Sequence, residues 1–284
     1  MEAKLGSGGV VGTLQNLVED CATGSSYRVN LPSSADAQCG CRVDACGQGA
    51  LVADAYQHAA SAELAFFNAG ALKPRASLAS SVTLGDLYEL LPFTDEVVRL
   101  NISGSVIKAA LAHGISRMAL SDAAANPSGR FLQVSSNVKY EWYFKAGVPT
   151  LSLVYIAANA KDPSIDPSAL QWVRLDESRA YTVATNAFVV GGGDGFSLFA
   201  DLPLERLGVS DVEAAVGYFA ANNGGTHATS SAYDAMDLIR QLPDRLVLEV
   251  RLLPPPAQPR LRPISHSPPI RFPSDSNCLT ICVH

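Results

Sequence analysis

YTVATNAFVVGGGDGFSLF, the stretch Tyr181–Phe199, joins a strand-like run to four glycines grouped around one carboxylate. Its first ten residues are rich in β-branched and aromatic side chains and contain no proline or glycine, which predicts a buried strand. The glycines around Asp194 permit unusual backbone angles and close approach of a ligand. Phe188 and Phe196 flank the turn, so the pattern suits a planar, hydroxyl-bearing ligand such as a nucleoside. A plain turn remains the alternative, and the dinucleotide fingerprint fails because its third glycine position is Phe196.

Length and composition bound the class of protein. The chain has 284 residues, enough for one large domain or two small ones, and its 48% hydrophobic content supports a sizeable core. The net charge of −6 gives no support for nucleic-acid binding, which usually shows as a basic patch. No apolar run reaches about 18 residues, so we expect no membrane span. The residues after Met1 lack the apolar core of a signal peptide.

Six cysteines lie at the two ends of the chain, four before residue 47 and two after residue 277. No C-x-x-C pair occurs and no histidine lies at ligand spacing from a cysteine, which argues against a structural zinc site. Cys41 and Cys46 are close enough in sequence to close a short disulfide loop, which would indicate an oxidising compartment. Composition alone leaves free buried thiols as an equal alternative.

The remaining pattern predicts alternating helices and strands. An alanine-rich helix follows Gly49, and Thr83 with Asp86 marks the start of a helix that Pro92 ends. Ser210 and Glu213 form a second capping motif. A further helix begins at Ser103 and another covers Ala232–Gln241, while Lys139–Thr150 is predicted as a connection. Strands are predicted at Val10–Val18, Ala62–Phe67, Thr94–Ile102, Phe131–Val138, Leu151–Ile156 and Arg245–Leu252.

The character of the chain changes after Leu252. Eight of its 17 prolines follow, too many for a strand ladder or a packed core. We therefore expect a folded domain over residues 1–252 and a proline-rich disordered tail over residues 253–284. A proline-binding partner is a weaker alternative for this tail.

Five segments, in order, resemble the C-terminal domain of 5'-nucleotidases, a family that includes ecto-5'-nucleotidase, bacterial UDP-sugar hydrolases and secreted apyrases. They cover about residues 10–222, and no single segment is specific by itself. The segments are CRVDACGQGALVADA from Cys41, NAGALK from Asn68, TLGDLYELLPFTDEVV from Thr83, GRFLQVS from Gly129 and TNAFVVGGGDGF from Thr185. The resemblance implies an α/β fold of the α+β type, with mixed β-sheets and flanking helices.

The resemblance also implies ligand-binding roles. Phe93 and Phe188 would sandwich a nucleotide base, which suits aromatic stacking, although both also fit core positions. Asp194 would accept hydrogen bonds from ribose hydroxyls, and Asn68 would contact the base edge. Gly70 and Gly193, in the same motifs as Asn68 and Asp194, would also contact the substrate.

Charged residues and cysteines of the first two motifs carry further implied roles. Arg42 would point at phosphate, for which a guanidinium fork is well suited. Lys73 stands where the family has a second arginine, so the charge is kept and bidentate geometry is lost. The resemblance implies a disulfide between Cys41 and Cys46, and with it an extracellular or secretory location.

Hydrolysis in this family needs two divalent metal ions in an N-terminal metallophosphoesterase domain. The five histidines of this chain are scattered singly and form no such motif, so we expect no catalytic residue, no metal ligand and no cofactor in it. The chain is then the nucleotide-recognition part of a phosphohydrolase, with a nucleotide as ligand and a metallophosphoesterase domain as partner. A stand-alone nucleotide binder and a degenerate fragment are the alternatives.

Overall fold

The computed structural model describes residues 10–13, 18–19, 41–42, 45–73, 77–78, 81–118, 128–158 and 170–221. Helices in this part are α1 (Gly47–Ala60), α2 (Leu84–Leu90), α3 (Gly104–Ile115), α4 (Ala187–Val190) and α5 (Asp211–Ala221). Strands are β1 (Val10–Thr13), β2 (Val18–Glu19), β3 (Leu64–Asn68), β4 (Ser77–Leu78), β5 (Ser81–Thr83), β6 (Glu96–Ser103), β7 (Leu132–Val134), β8 (Val138–Lys145), β9 (Val148–Ala157), β10 (Trp172–Arg174), β11 (Ala180–Asn186) and β12 (Leu204–Ser210). The helix and strand predicted beyond Ala221 and the proline-rich segment lie outside the described residues.

A five-stranded sheet forms the centre, in the order β12-β6-β11-β3-β7. Only β11 and β3 pair in parallel; the other neighbours in this sheet are antiparallel. Helix α1 packs against β3 and β11 and also contacts α5. Every residue of β3 is buried, as expected for a strand in the interior of a sheet. The fold is therefore an α/β arrangement with a mixed sheet and flanking helices, as the sequence predicts.

A second sheet, in the order β10-β9-β8, is built around a long hairpin. The prediction of a connection over Lys139–Thr150 is wrong, because most of these residues belong to β8 and β9. Ala146 (φ 49°) and Gly147 (φ 78°) form the tight turn between them. Two positive φ angles in a two-residue turn match the twist of antiparallel strands, so the hairpin continues through the segment.

The predicted strand Tyr181–Val190 ends earlier than expected. Strand β11 stops at Asn186, and the next four residues form the short helix α4. The side chain of Asn186 accepts a hydrogen bond from the backbone N–H of Val189 (3.0 Å), which caps this helix. Phe188 therefore lies on a helical turn at the end of the central strand.

Both predicted capping motifs are confirmed. Thr83 Oγ1 accepts from the backbone of Asp86, whose carboxylate accepts from the backbone of Thr83. Ser210 and Glu213 exchange the same pair of bonds ahead of α5. No helix among the described residues is both long and apolar enough to cross a membrane.

Candidate functional site

The turn of residues 191–196, here named the Asp194 turn, follows α4 at the end of the central strand β11. Gly192 and Gly195 adopt positive φ angles of 89° and 84°, which glycine tolerates without strain. Asp194 is also left-handed, with a φ of 53°. Aspartate is one of the few other residues that visits this region, at a cost of about 1–2 kcal/mol. The turn thereby presents a carboxylate at a partly exposed position.

Buried polar groups hold this carboxylate. Asn68 Nδ2 donates to Asp194 Oδ2 at 2.8 Å, and Asn186 Nδ2 donates to Asn68 Oδ1 at 3.0 Å. Asn68 is 3% exposed and Asn186 is fully buried. Among the described residues nothing donates a hydrogen bond to Asp194 Oδ1. One carboxylate oxygen is therefore fixed by the protein and the other keeps its lone pairs for a ligand.

Two glycines allow the chain to pass close to Asp194. The backbone N–H of Gly70 donates to the carbonyl of Gly129 at 2.8 Å. A Cβ added to Gly129 would lie 3.1 Å from the Cα of Gly70 and 3.3 Å from Asp194 Oδ2. A side chain at this position would therefore crowd both the neighbouring backbone and the carboxylate.

Phe188 covers the glycine turn with its ring. A Cβ added to Gly193 would lie 2.4 Å from Phe188 Cε1, so the ring rests directly on the main chain of the Asp194 turn. The side chain of Phe188 is nevertheless 45% exposed. It thus presents an aromatic face to solvent beside the carboxylate.

Phe93 lies on a second turn, residues 92–95, here named the Phe93 turn. Its side chain is 57% exposed, and the next residue, Thr94, has a φ of 48°. Asp211 anchors the far end of the turn: its Oδ2 accepts from the backbone N–H of Asp95 (3.2 Å), and its own N–H donates to the Asp95 carbonyl (2.8 Å). The turn is therefore fixed to the start of α5 by its backbone, while Phe93 is left in solvent.

The anchor has unusual electrostatics. Burial raises the pKa of Asp211 to about 7, and the neighbouring carboxylate of Asp95 raises it too, against the opposing effect of three backbone N–H groups. Burial also raises the pKa of Asp95. The pKa of Tyr56 is raised well above its usual value by burial and by these two carboxylates. This buried acidic group lies behind the Phe93 turn.

A disulfide joins Cys41 to Cys46, with 5.1 Å between their Cα atoms, as the resemblance implies. Gln133 ties both ends of this loop to the central sheet: its Nε2 donates to the Cys41 carbonyl and its Oε1 accepts from the Cys46 N–H. Arg42 lies in this loop with an exposed side chain. The loop is therefore attached firmly at its base, and the guanidinium of Arg42 is exposed on it.

The structure brings some of the predicted site residues together. Asn68, Gly70 and Asp194 lie in one cluster, and Phe188 contacts Gly193 beside it. The side chain of Lys73 is exposed, and its backbone N–H donates to the carbonyl of Leu90. Leu90 ends α2 and precedes Phe93 by three positions. Within the described ranges, the side chains of Arg42, Lys73 and Phe93 make no hydrogen bond or ion pair with the Asp194 turn.

Three residues around the Asp194 turn, namely Asn186, His113 and Arg130, have no role predicted from the sequence. Besides Asn186, His113 Nε2 lies 3.1 Å from the Asp194 carbonyl, and its ring packs edge-on against Phe196. Burial lowers the pKa of Arg130, as does the nearby Arg117, whereas Asp194 raises it. These contacts join residues that are far apart in the sequence, so no local sequence pattern predicts them. The capping position of Asn186 was the one available signal.

No group of three or more His, Cys, Asp or Glu side chains that could hold a metal ion occurs in the ranges that the structure describes. The polar side chains gathered here are instead the carboxylate of Asp194, the imidazole of His113 and the guanidinium of Arg130. The arrangement can accept hydrogen bonds from hydroxyl groups and offers aromatic faces. It is suited to binding a polar, ring-containing ligand.

Comparison with known proteins gives consistent matches. Residues 11–201 match the family model described as 5'-nucleotidase, C-terminal domain. Protein 5NUC of Lutzomyia longipalpis is 26% identical over 198 residues, which cover 63% of this chain and 32% of that protein. The NAD 5'-nucleotidase of Haemophilus influenzae is 28% identical over 147 residues, or 52% of this chain and 22% of that protein.

The crystal structure of a 5'-nucleotidase precursor from Thermus thermophilus superimposes with a TM-score of 0.54 at 27% identity. The superposition covers 74% of this chain and 36% of the Thermus chain. The present chain thus spans about a third or less of the length of the curated relatives that it matches.

Proposed function

The chain belongs to the family of 5'-nucleotidase C-terminal domains, and we propose that it recognises the nucleoside part of a nucleotide for a 5'-nucleotidase-like phosphohydrolase. The observation that carries this proposal is the Asp194 carboxylate, with Oδ2 held by Asn68 and Oδ1 without a partner among the described residues. An ionised carboxylate is a pure acceptor, so its ligand must supply hydroxyl or N–H donors. A ribose supplies two adjacent hydroxyls.

The aromatic residues complete the proposed site. Phe93 and Phe188 are both more than two-fifths exposed, which is uncommon for phenylalanine and leaves their faces open to a base. Stacking of a base on an aromatic side chain contributes about 1–3 kcal/mol. Asn68 already accepts at Oδ1 from Asn186 and donates once from Nδ2 to Asp194, so its second Nδ2 hydrogen would be the group that contacts the base edge. Gly70 and Gly193 would let the ligand approach the backbone.

We assign the phosphate to the exposed cations Arg42 and Lys73. Arginine binds phosphate through a planar pair of N–H groups, whereas lysine acts as a point charge. The hydrolytic step and its two divalent metals would belong to a metallophosphoesterase domain that acts together with this one, as the resemblance implies. The disulfide Cys41–Cys46 supports an oxidising, extracellular or secretory location for the protein.

A stand-alone nucleotide-binding protein is the second candidate function. It is favoured by the fact that Asp194, Asn68 and Phe188 are positioned by contacts within this chain alone. In that role the chain would bind or sequester nucleosides without hydrolysing them. A degenerate fragment that binds no ligand is the remaining alternative.

The experiment that tests the proposal combines binding and turnover. Titration calorimetry of the purified chain with adenosine and with AMP measures recognition, and phosphate release from AMP with added Zn²⁺ or Mn²⁺ measures hydrolysis. Adenosine binding without phosphate release supports a recognition domain. Metal-dependent release by this chain alone would overturn the assignment of hydrolysis to a partner domain. No binding of either ligand would overturn the recognition role of the isolated chain.

A further inference from the structure

A chain of three hydrogen bonds leads from the backbone of α4 to the Asp194 carboxylate. The N–H of Val189 donates to Asn186 Oδ1 at 3.0 Å, and Asn186 Nδ2 donates to Asn68 Oδ1 at 3.0 Å. Asn68 Nδ2 then donates to Asp194 Oδ2 at 2.8 Å. Asn186 is thus the junction between the helical turn that carries Phe188 and the residue that holds Asp194.

The direction of this chain is fixed at both ends. A backbone N–H can only donate and an ionised carboxylate can only accept, so neither amide can turn around without breaking a bond. Asn186 is fully buried and Asn68 nearly so, which leaves no solvent to replace a lost partner. Each amide therefore has one orientation, and Asn186 determines that of Asn68.

We propose that Asn186 is a positioning residue that couples the two ligand-facing groups beside it. Its Oδ1 holds the turn that presents Phe188, and its Nδ2 keeps Asn68 as a donor to Asp194. Asn186 itself touches no ligand. The proposal rests on the proposed function for its ligand, a nucleoside with two adjacent ribose hydroxyls. Asn186 thereby sets a preference for ligands that carry two adjacent ribose hydroxyls.

Two substitutions separate the two bonds of Asn186. Asn186→Asp keeps a capping acceptor for Val189 and, in its ionised form, removes the donor to Asn68, while Asn186→Ala removes both. Asn186→Ser also keeps a capping oxygen and is too short to reach Asn68, so it serves if the aspartate variant does not fold. Asn137→Asp is the matched control: Asn137 is a buried asparagine bonded to Ser135 and Glu63, away from the site.

The ligand measurement is titration calorimetry with adenosine and with 2′,3′-dideoxyadenosine. For Asn186→Asp we expect adenosine affinity to fall about tenfold or more, because the charge-assisted contact between the ribose hydroxyls and Asp194 is lost. The affinity for dideoxyadenosine, which has no such hydroxyls, should change less than about twofold. Asn186→Ala should weaken both ligands, since the Phe188 turn also loses its cap. Asn137→Asp should change neither. An equal loss for both ligands in Asn186→Asp would overturn the proposal.

A second measurement needs no ligand. The side-chain amide signal of Asn68 is assigned in ¹⁵N–¹H spectra by its loss in Asn68→Asp, and its hydrogen exchange is followed in each variant. We expect faster exchange at Asn68 in Asn186→Asp with the backbone N–H of Val189 still protected, and faster exchange at both in Asn186→Ala. An unchanged Asn68 amide in both variants would overturn the coupling. If the exchange pattern is as expected but the chain binds no nucleoside, the coupling through Asn186 stands and the proposed function is refuted.

Discussion

The Asp194 turn and the Phe93 turn each contain a non-glycine residue with a positive φ angle, yet the protein holds them in different ways. Side-chain amides from two strands of the central sheet fix the Asp194 carboxylate from the buried side. The Phe93 turn is anchored through its backbone to Asp211, and its aromatic ring extends into solvent. A hydrogen-bonding group needs a fixed direction, whereas a stacking group needs only an open face.

This difference predicts two kinds of mutational effect. Substitutions behind Asp194 should lower both the stability of the fold and ligand affinity, because the same buried bonds serve both. Substitution of the aromatic side chains should lower affinity with little effect on stability. Substitutions of Asn68, Phe93 and Gly193 test this separation, and titration of Asp211 tests the anchor of the Phe93 turn.

Titration of Asp211 tests the anchor of the Phe93 turn. Its pKa of about 7 in the folded protein exceeds the ordinary value of about 3.9 that the unfolded chain would have. The folded state therefore binds an extra proton at Asp211 between these values, and the stability that this carboxyl contributes is lost as the pH rises from about 4 through about 7. The slope is at most about 1.4 kcal/mol per pH unit. Urea unfolding between pH 4 and pH 8 measures it.

Asp211→Asn is the matched variant for this titration. It should lose most of the slope near neutral pH, and the slope of the same sign that remains toward lower pH includes the raised pKa values of Asp95 and Glu141. Identical slopes in the wild-type chain and the variant would show that Asp211 is ionised at neutral pH like an ordinary aspartate.

Asn68→Ala should damage the Asp194 turn and the fold together. The substitution leaves the buried Nδ2 of Asn186 without its acceptor and removes the donor to Asp194. The free energy of unfolding should therefore fall by about 1–3 kcal/mol. Adenosine affinity should also fall about tenfold or more. Urea unfolding and calorimetry measure the two effects, with the exposed Asn101→Ala as control. Full stability with lost affinity would contradict the shared role of these bonds.

Phe93→Ala should affect affinity alone. The side chain is 57% exposed, so we expect a change in unfolding free energy within about 0.5 kcal/mol. Loss of one stacking face should weaken adenosine binding by about 1–3 kcal/mol. Tyr88→Ala, at an exposed aromatic residue on α2, is the control for a general surface effect. A large loss of stability in Phe93→Ala would place Phe93 in the core instead.

Gly193→Ala should have the smallest effect, a loss of affinity of a few-fold. The new Cβ would overlap the ring of Phe188, which can move outward without disturbing the backbone. Gly217→Ala is the control, since its Cβ would meet no described residue outside its own helix within 4 Å, and it should raise stability by about 0.5–1 kcal/mol. Unchanged affinity in Gly193→Ala would show that ligand binding does not depend on the position of the Phe188 ring over the turn.

Local signals account for the parts of the structure that the sequence predicts well. The capping motifs at Thr83 and Ser210 lie within four residues and depend on a single turn of chain, so they are visible in the sequence. The hairpin β8–β9 has no clear sequence signal, because its turn has alanine, not asparagine or aspartate, before Gly147. The early end of β11 was missed because β-branched residues also form helical turns when a cap such as Asn186 is present.

The candidate site was only half visible for a related reason. The glycine turn marks Asp194, and the resemblance adds the ligand roles of Asn68, Phe93 and Phe188. The support from Asn186, His113 and Asp211 arises where separate elements meet, and the sequence carries no local sign of which elements will be neighbours. Such contacts follow from sheet order, and sheet order from the packing of the whole chain.

The parallel pairing of β3 with β11 has a consequence for how the protein folds. Asn68 and Asp194 lie 126 positions apart, so their hydrogen bond forms only after a long loop of chain has closed. Contacts of such separation form late and slow the folding reaction. A nascent chain that has not yet reached Asp194 therefore lacks the carboxylate that Asn68 holds. A bound ligand would protect the protein against global unfolding, and its release on denaturation should coincide with loss of the central sheet.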